Sequence, residues 1–471
     1  MNELELTLGW VARSVGGTLQ SGDPELPVGD VLTDSRSLRA GDLFVALKGP
    51  RFDGHSFVGE VLERGAAGAV VEGGDSRRAG PGLWTRHGAV IDVPDTLRAL
   101  QDLAHAVRLA AETKVIAITG SAGKTTTKEI IAEMLGTRYR VVKNKGNLNN
   151  HIGLPLSLMQ LRTKPDVAVM ELGMNHAGEI SRLVEIAEPD VRVWTNVGDA
   201  HLGFFASPEA IADAKGEILQ RATAATLLVC NADDSRVMAR ARGFAGRTMT
   251  FGTVQNADVR AVSIDDRGVD GMRARMATPA GERVFETPLL GRGNLANVLG
   301  ATAVALDAGI PLDSIVEVAA RLRPADRRGA VARLGGGITL IDDSYNSSPS
   351  ALRRALDVVA HETRCERKIA VLGEMLELGD HAQALHEECG RAAAAAGLTM
   401  LFAIGGEPAR VLADAAVAAG MPPQSVTYYA QSADAVAPVS AQVRRGDLVL
   451  VKGSRGTRTD LVADRLAAEF A

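Results

Sequence analysis

From Lys114 onward the chain alternates continuous apolar runs with stretches of helical periodicity. The runs are "KVIAIT", "DVAVMEL", "VRVWTNV" and "TLLVCNADD". Runs apolar on both faces suit strands covered by helices on each side, which predicts a parallel sheet. Between Thr248 and Pro288 polar and apolar residues alternate instead, predicting a β excursion or flap, and a helix is expected from Asn294 to Ala308. Near Pro324-Ala325-Asp326 the first rhythm restarts with "ITLIDD", "KIAVLGE", "LFAIGG", "SVTYYA" and "DLVLVKGS", interleaved with alanine-rich helices. This reads as a second open α/β unit of Rossmann type. "AAAAAG" at 392–397 reads as the close-packed face of a helix ending at Gly397. Before residue 110 the runs are shorter, "DLFVAL" and "GAVVE", and glycines and turn residues break them up. The expected architecture is α/β in three domains: a small N-terminal domain over 1–110, a central parallel-sheet domain over 111–323 and a C-terminal Rossmann-like domain over 324–471.

Composition narrows the function classes. A length of 471 residues sets a prior of two to four domains, and 46% hydrophobic with 23% charged residues fits a folded globular protein. The net charge of -5 argues against a nucleic-acid binder that relies on a general basic field, while a nucleotide needs only a few local cations. Cys230, Cys365 and Cys389 are scattered without CxxC spacing, which suggests a reducing compartment and neither a disulfide framework nor a zinc site. The N-terminal "MNELELTLGWVARSVGG" is acidic where a signal peptide is basic, and no run approaches the ~20 apolar residues of a membrane span. A cytoplasmic location is expected.

The chemistry centres on "ITGSAGKTTTKE", which follows an apolar strand and opens the helix "KEIIAEML". That is the context of a phosphate loop, where backbone N–H groups and a helix N-terminus converge on an anion. The usual spacing puts a glycine where Ile118 stands; the nearest one here is Gly120. The expected nucleotide contacts are Gly120, Ser121, Ala122, Gly123, Lys124, Thr125 and Thr126, with Lys124 on the β/γ phosphates and Thr125 as a magnesium ligand. Glu171 ends the strand "VAVME", on the sheet edge where open sheets bind ligands, and a carboxylate there can hold Mg²⁺. His201 lies just past the run "VWTNVGD", so polar groups at successive strand ends point to a metal cluster. Lys215 in "IADAKGEIL", taken alone, is an ordinary solvated helical lysine. Asn147, Asn149 and Asn150 in "GNLNNHIGLP" suit either turn chemistry or amide contacts to a polar substrate, and spacing does not separate the two.

In chain order, "TGSAGKTT", "ELGMNHAGEI", "NVGDAHL", "AKGEI", "GRGNLANVLGA", "IDDSYNSSPSAL", "GEMLELG" and "VKGSRGTR" resemble the Mur ligase family of ATP-dependent carboxylate–amine ligases. The resemblance covers nearly the whole chain, and the shorter-spaced loop is the family's own form. It implies ATP and Mg²⁺, with Thr125 and Glu171 on the metal, Lys124 on the γ-phosphate, and Lys215 carbamylated and sharing a second ion with His201. It also implies nucleotide contacts from Asn294, Asn297, Arg328, Asp343 and Tyr345. The substrate contacts it implies are Asn346, Lys452, Ser454 and Arg455, with Ser35 and Arg36 in a uridine-nucleotide-binding block "TDSRSLRAGDLFVALKG". The stretches "GNLNNHIGLP", "DDSYN" and "LGEMLELG" are similar to the family member that takes a dipeptide. The substrates then implied are UDP-MurNAc-tripeptide and D-Ala-D-Ala, handled by a monomer without nucleic-acid partners. The alternative is a relative that adds the third amino acid to UDP-MurNAc-dipeptide, but the Asp-Asn-Pro-Arg-like motif it would carry is missing. A P-loop switch or motor ATPase would need neither a third Rossmann-like domain nor a lysine–histidine pair. Three positions depart from the family pattern: Gly293 stands where histidine is usual, Ser348 where asparagine is, and Ala206 where glycine is.

Overall fold

The computed structural model describes residues 3–50, 52–73, 88–199, 202–254 and 256–471. Three α/β units follow one another along the chain, each built on its own sheet. The first has five strands in the order Thr18–Ser21, Ala89–Val93, Gly68–Glu72, Leu43–Val45 and Val31–Leu32, parallel except for the first. The helix Thr96–Ala111 then leads into the second unit. Asp95 caps it, accepting the Arg98 N–H at 2.9 Å. Its apolar stripe of Leu100, Leu103 and Val107 belongs to one continuous core that runs from Leu8 to Leu154 and Leu183. The first unit is therefore packed onto the second through shared apolar burial.

The second sheet has nine strands. Inside it the strand Lys114–Thr119 is flanked by Val167–Glu171 and Val191–Trp194, all parallel and almost wholly buried. Continuous apolarity along these runs is what burial on both faces requires. A short edge strand, Val141–Lys143, pairs beside Val167–Glu171; with three residues it carries too little periodicity to be read from sequence. The alternating region becomes an antiparallel extension of the same sheet, Val259–Asp266, Met272–Thr278 and Gly281–Thr287. There Met272, Ala274 and Met276 point into the core while the residues between them are exposed. The helix expected from Asn294 begins earlier, spanning Gly291–Asp307.

The third sheet runs Ala330–Arg333, Thr339–Asp343, Leu448–Lys452, Lys368–Gly373, Met400–Ile404 and Val426–Tyr429, parallel after the first strand. Its alanine-rich helices pack through small residues. A Cβ at Gly390 would lie 2.3 Å from the Leu412 carbonyl oxygen, so Ala382–Ala395 and Glu407–Ala418 approach closely only because this position is glycine. Second and third units meet at several points. Arg353 pairs with Asp199 at 3.1 Å, the Gly203 N–H donates to Glu377 O at 2.8 Å, and the Val269 N–H donates to Glu362 at 3.2 Å. Among the described residues no helix is long and apolar enough to cross a membrane, and the three cysteines are free.

Candidate active site

Strand ends of the second sheet gather the first group of functional side chains. Glu171 is the last residue of its strand and lies in register with Ile118, one residue before the loop begins to turn. The loop turns where glycine is required. Gly120 has φ +150° and a Cβ there would sit 1.9 Å from Thr195 Oγ1; Gly123 has φ +83° and its Cβ would sit 2.3 Å from Asn297 Oδ1. These two contacts explain the unusual spacing, because the strand beside the loop and the helix above it each press on one glycine. Asn196 fixes the path between them, accepting the Ala122 N–H at 2.9 Å and donating to Ala122 O at 3.0 Å. Helix Lys124–Leu135 follows directly, so the N–H groups of its first turn lack intrahelical acceptors and form an anion site.

Lys124 Nζ donates to Gly120 O at 2.8 Å, curled over the loop, and burial and the nearby Arg328 hold its pKa below the usual lysine value. Thr125 Oγ1 donates to Glu171 Oε2 at 2.7 Å, and Asn149 Nδ2 donates to Glu171 Oε1 at 2.8 Å. A hydroxyl and a buried carboxylate held together at the phosphate loop are hard oxygen donors, so they fit Mg²⁺. Lys215 is 1% exposed and makes no side-chain hydrogen bond among the described residues. Burial, reinforced by the charge of Lys124, holds its pKa well below that of an ordinary lysine. The solvated lysine that the local sequence suggests is not what the fold provides, since Lys215 is buried and burial disfavours its charged form. His201 lies outside the described residues.

The asparagine-rich stretch divides. Asn150 does turn chemistry, its Oδ1 accepting the Ile152 and Gly153 N–H groups at 3.2 and 2.8 Å to cap the next helix. Asn147 and Asn149 line a cavity with Glu171. Asn144, which sequence reasoning passed over, is buried and clamps the backbone of Glu171 on both sides, at 3.0 and 3.2 Å. Its only signal is a fourth asparagine in "KNKGNLNN".

The third unit supplies the opposite wall. Lys452, 3% exposed, bonds Asp343 Oδ2 at 2.6 Å and the Asn346 carbonyl at 3.0 Å. Arg328 stacks over the Tyr345 ring at 4.0 Å and Arg455 lies at 5.9 Å from the same centroid. Ser454 Oγ accepts the Leu376 N–H at 3.0 Å. Two cavities lie between the walls. One, of about 480 Å³, runs from Ser121–Gly123 and Thr126 past Asn294, Asn297 and Asp343. The other, of about 390 Å³, holds Lys124, Thr125, Glu171, Asn147, Asn149, Tyr345, Ser454 and Arg455. Both are lined by Ser121–Gly123 and Arg328, so they meet at the phosphate loop. Ser35 and Arg36 stand apart in the first unit, where Arg36 is exposed and pairs with Asp34, holding that carboxyl down to about 2.

Fold and site together define a phosphate-loop enzyme whose reaction zone lies between two α/β units, and the chain belongs to the Mur ligase family. The Mur ligase middle domain matches residues 118–305; the Mur ligase glutamate ligase domain matches 327–455; the Mur ligase family catalytic domain matches 28–108. A UDP-N-acetylmuramoyl-tripeptide–D-alanyl-D-alanine ligase of Bacillus subtilis is 35% identical, covering 97% of each chain. MurF from Acinetobacter baumannii superposes with a TM-score of 0.88 at 30% identity, covering 99% of this chain and 100% of that one. MurF ligase from Thermotoga maritima, solved in complex with ADP, gives a TM-score of 0.81 at 28% identity over 93% of this chain and 97% of that one.

Proposed function

We propose that this chain joins D-alanyl-D-alanine to UDP-N-acetylmuramoyl-tripeptide at the expense of ATP, releasing ADP and phosphate. The observation that carries the reading at the level of the site is the meeting of two cavities at one phosphate loop. One, of about 480 Å³, has room for a nucleotide, and the other is lined by amides, serine and arginine suited to a peptide. A carboxylate is a poor electrophile, so the tripeptide's terminal carboxylate first attacks the γ-phosphorus of ATP and ADP departs. The amine of the dipeptide then attacks the acyl phosphate carbon. The tetrahedral intermediate collapses to the amide, phosphate leaves with the C–O bond electrons, and the amine proton passes to solvent.

The chain's own groups have assignable parts in this sequence. Lys124 leaves its loop carbonyl to meet the γ-phosphate, and the N–H groups of the helix start hold the phosphates, offsetting charge as the phosphoryl group transfers. Arg328, shared by both cavities, bridges the donor and acceptor sides. Thr125 and Glu171 would hold Mg²⁺, which supplies Lewis-acid polarisation of the phosphate oxygens. Contacts between the second and third units close the reaction zone against water, which otherwise hydrolyses the acyl phosphate. Ser35 and Arg36 serve the uridine end of the substrate, far from the chemistry. Both walls come from a single chain, which suits a monomer, and a nucleotide-linked substrate suits a reaction in the cytoplasm.

Phosphate release from ATP tests the reading. It should require both UDP-MurNAc-tripeptide and D-Ala-D-Ala, and equal turnover with neither present would defeat the ligase assignment. Lys215 carries the second part of the proposal, as a carbamate formed with CO₂. Lys215→Ala is expected to lose activity and to recover part of it with short carboxylic acids, and labelled bicarbonate should give a carbamate carbon signal absent from the variant. Full activity of Lys215→Ala without additives would remove the carbamate from the mechanism.

A further inference from the structure

Helix Pro349–His361 presents two consecutive arginines with opposite fates. Arg353 is doubly paired, to Asp199 at 3.1 Å and Glu388 at 2.7 Å. Arg354 is partly buried, lines the larger cavity, and has neither an ion pair within 4.0 Å nor a hydrogen bond among the described residues. Asp343, Asp199 and Asp357 act on it only at longer range, and Asp343 is already bonded to Lys452. Burial holds its pKa below the ordinary arginine value. A guanidinium partly taken from water and left without a counter-charge in contact gains from an anion that completes the site.

The room for this side chain comes from Gly293. A Cβ there would lie 3.1 Å from Arg354 Cδ and 3.5 Å from its Nε. Gly293 has no positive φ that would demand glycine, so space for the arginine is what the missing side chain provides. The cavity lining combines Ser121, Gly123 and Arg328 of the phosphate-loop region with Arg354 and the apolar Leu290, Ile341 and Val358.

We propose that Arg354 binds a phosphate of ATP, acting as a nucleotide-positioning residue, and that Gly293 is the clearance that lets it reach. The planar guanidinium suits a phosphate through two parallel N–H···O bonds. The proposal rests on the reading of this cavity as the nucleotide site.

Calorimetric binding of ATP and of adenosine to the full chain, without peptide substrates, tests it. Arg354→Ala should weaken ATP at least about tenfold, the worth of one charge-assisted bond, and leave adenosine within about twofold. Gly293→Val should reproduce the loss when Arg354 is present and add little to Arg354→Ala. Unchanged ATP affinity in folded Arg354→Ala overturns the proposal, and so does an equal loss for ATP and adenosine. Arg354→Met, which keeps the aliphatic length and drops the charge, carries the test if the alanine variant does not fold. Lys124→Ala serves as the reference. If it binds ATP like the unaltered chain, the loop reading itself fails; if it loses ATP while Arg354→Ala does not, only the role of Arg354 fails.

Discussion

The two walls that face each other across the phosphate loop are built by different means. On the side of the second unit, shape comes from backbone: two glycines with positive φ, one asparagine spanning the loop, and a helix N-terminus. On the side of the third unit, the surface is a web of charged side chains, Lys452 on Asp343 and two arginines on Tyr345. A backbone cradle is preorganised and offers its donors without side-chain entropy loss. A side-chain web can be carried on a separate unit and brought up as one surface. The phosphate site is therefore expected to tolerate almost no change of shape, and the opposite wall to respond mainly to changes of charge.

The sharpest way to break this contrast is at the loop. Lys124→Ala should lower turnover by about 10²–10³-fold, the usual loss for a preorganised charge on a transferring group. Gly123→Ala removes no functional atom, yet its methyl would meet Asn297 Oδ1 at 2.3 Å in a backbone region that disfavours alanine. We expect about a 10²-fold fall in turnover from displaced geometry alone, with a fall in the thermal midpoint limited to that set by the strain of one residue, about 1–3 kcal/mol. Near-normal turnover in Gly123→Ala would mean that the loop's shape is not what positions the phosphate.

Next in size comes the other wall. Asp343→Asn keeps the shape and removes the charge, leaving Lys452 buried with only the Asn346 carbonyl. Breaking a buried pair from one side costs about 3–5 kcal/mol, and Asp343 is partly exposed, which favours the lower end. The thermal midpoint of the third unit should drop and the KM for ATP should rise. An unchanged midpoint would make the pair a surface contact without structural weight.

The same contrast explains what the sequence disclosed. The loop was legible because a strand, two glycines, lysine and threonine must be consecutive for backbone to wrap a phosphate. Glu171 was legible as a carboxylate at a strand end. Taken alone, Lys215 reads as solvated, because nothing in "IADAKGEIL" records that the fold buries it; only the likeness to a family marks it out. Asn144 and Arg354 were missed for a related reason. Their roles are set by contacts with Glu171 and Gly293, 27 residues and one domain away respectively, and no local periodicity encodes such distances. Asn150 shows the converse, a residue whose type suits a substrate contact and whose amide oxygen is engaged by the local turn.

The smallest effect is expected where the two walls are tied together outside the cavity. Glu362, 1% exposed, accepts from Arg364 and from the Val269 N–H, which belongs to the β extension of the second unit. Asp270, on the same turn, pairs with Arg333 at 2.6 Å and with Arg364. The hydrogen bonds from Arg364 hold the Glu362 carboxyl down to about 2, against its usual 4.5. A depressed carboxyl stabilises the folded state at every pH above its unfolded value, and that contribution fades as pH falls toward the folded one. Hydrogen-exchange protection of the Val269 amide should thus be higher in the unaltered chain than in Glu362→Gln near neutrality, with the gap narrowing from about pH 4.5 downward. A gap that stays constant on acidification would assign the difference to packing, and the tie between the units would then be a matter of shape, as at the loop, instead of charge.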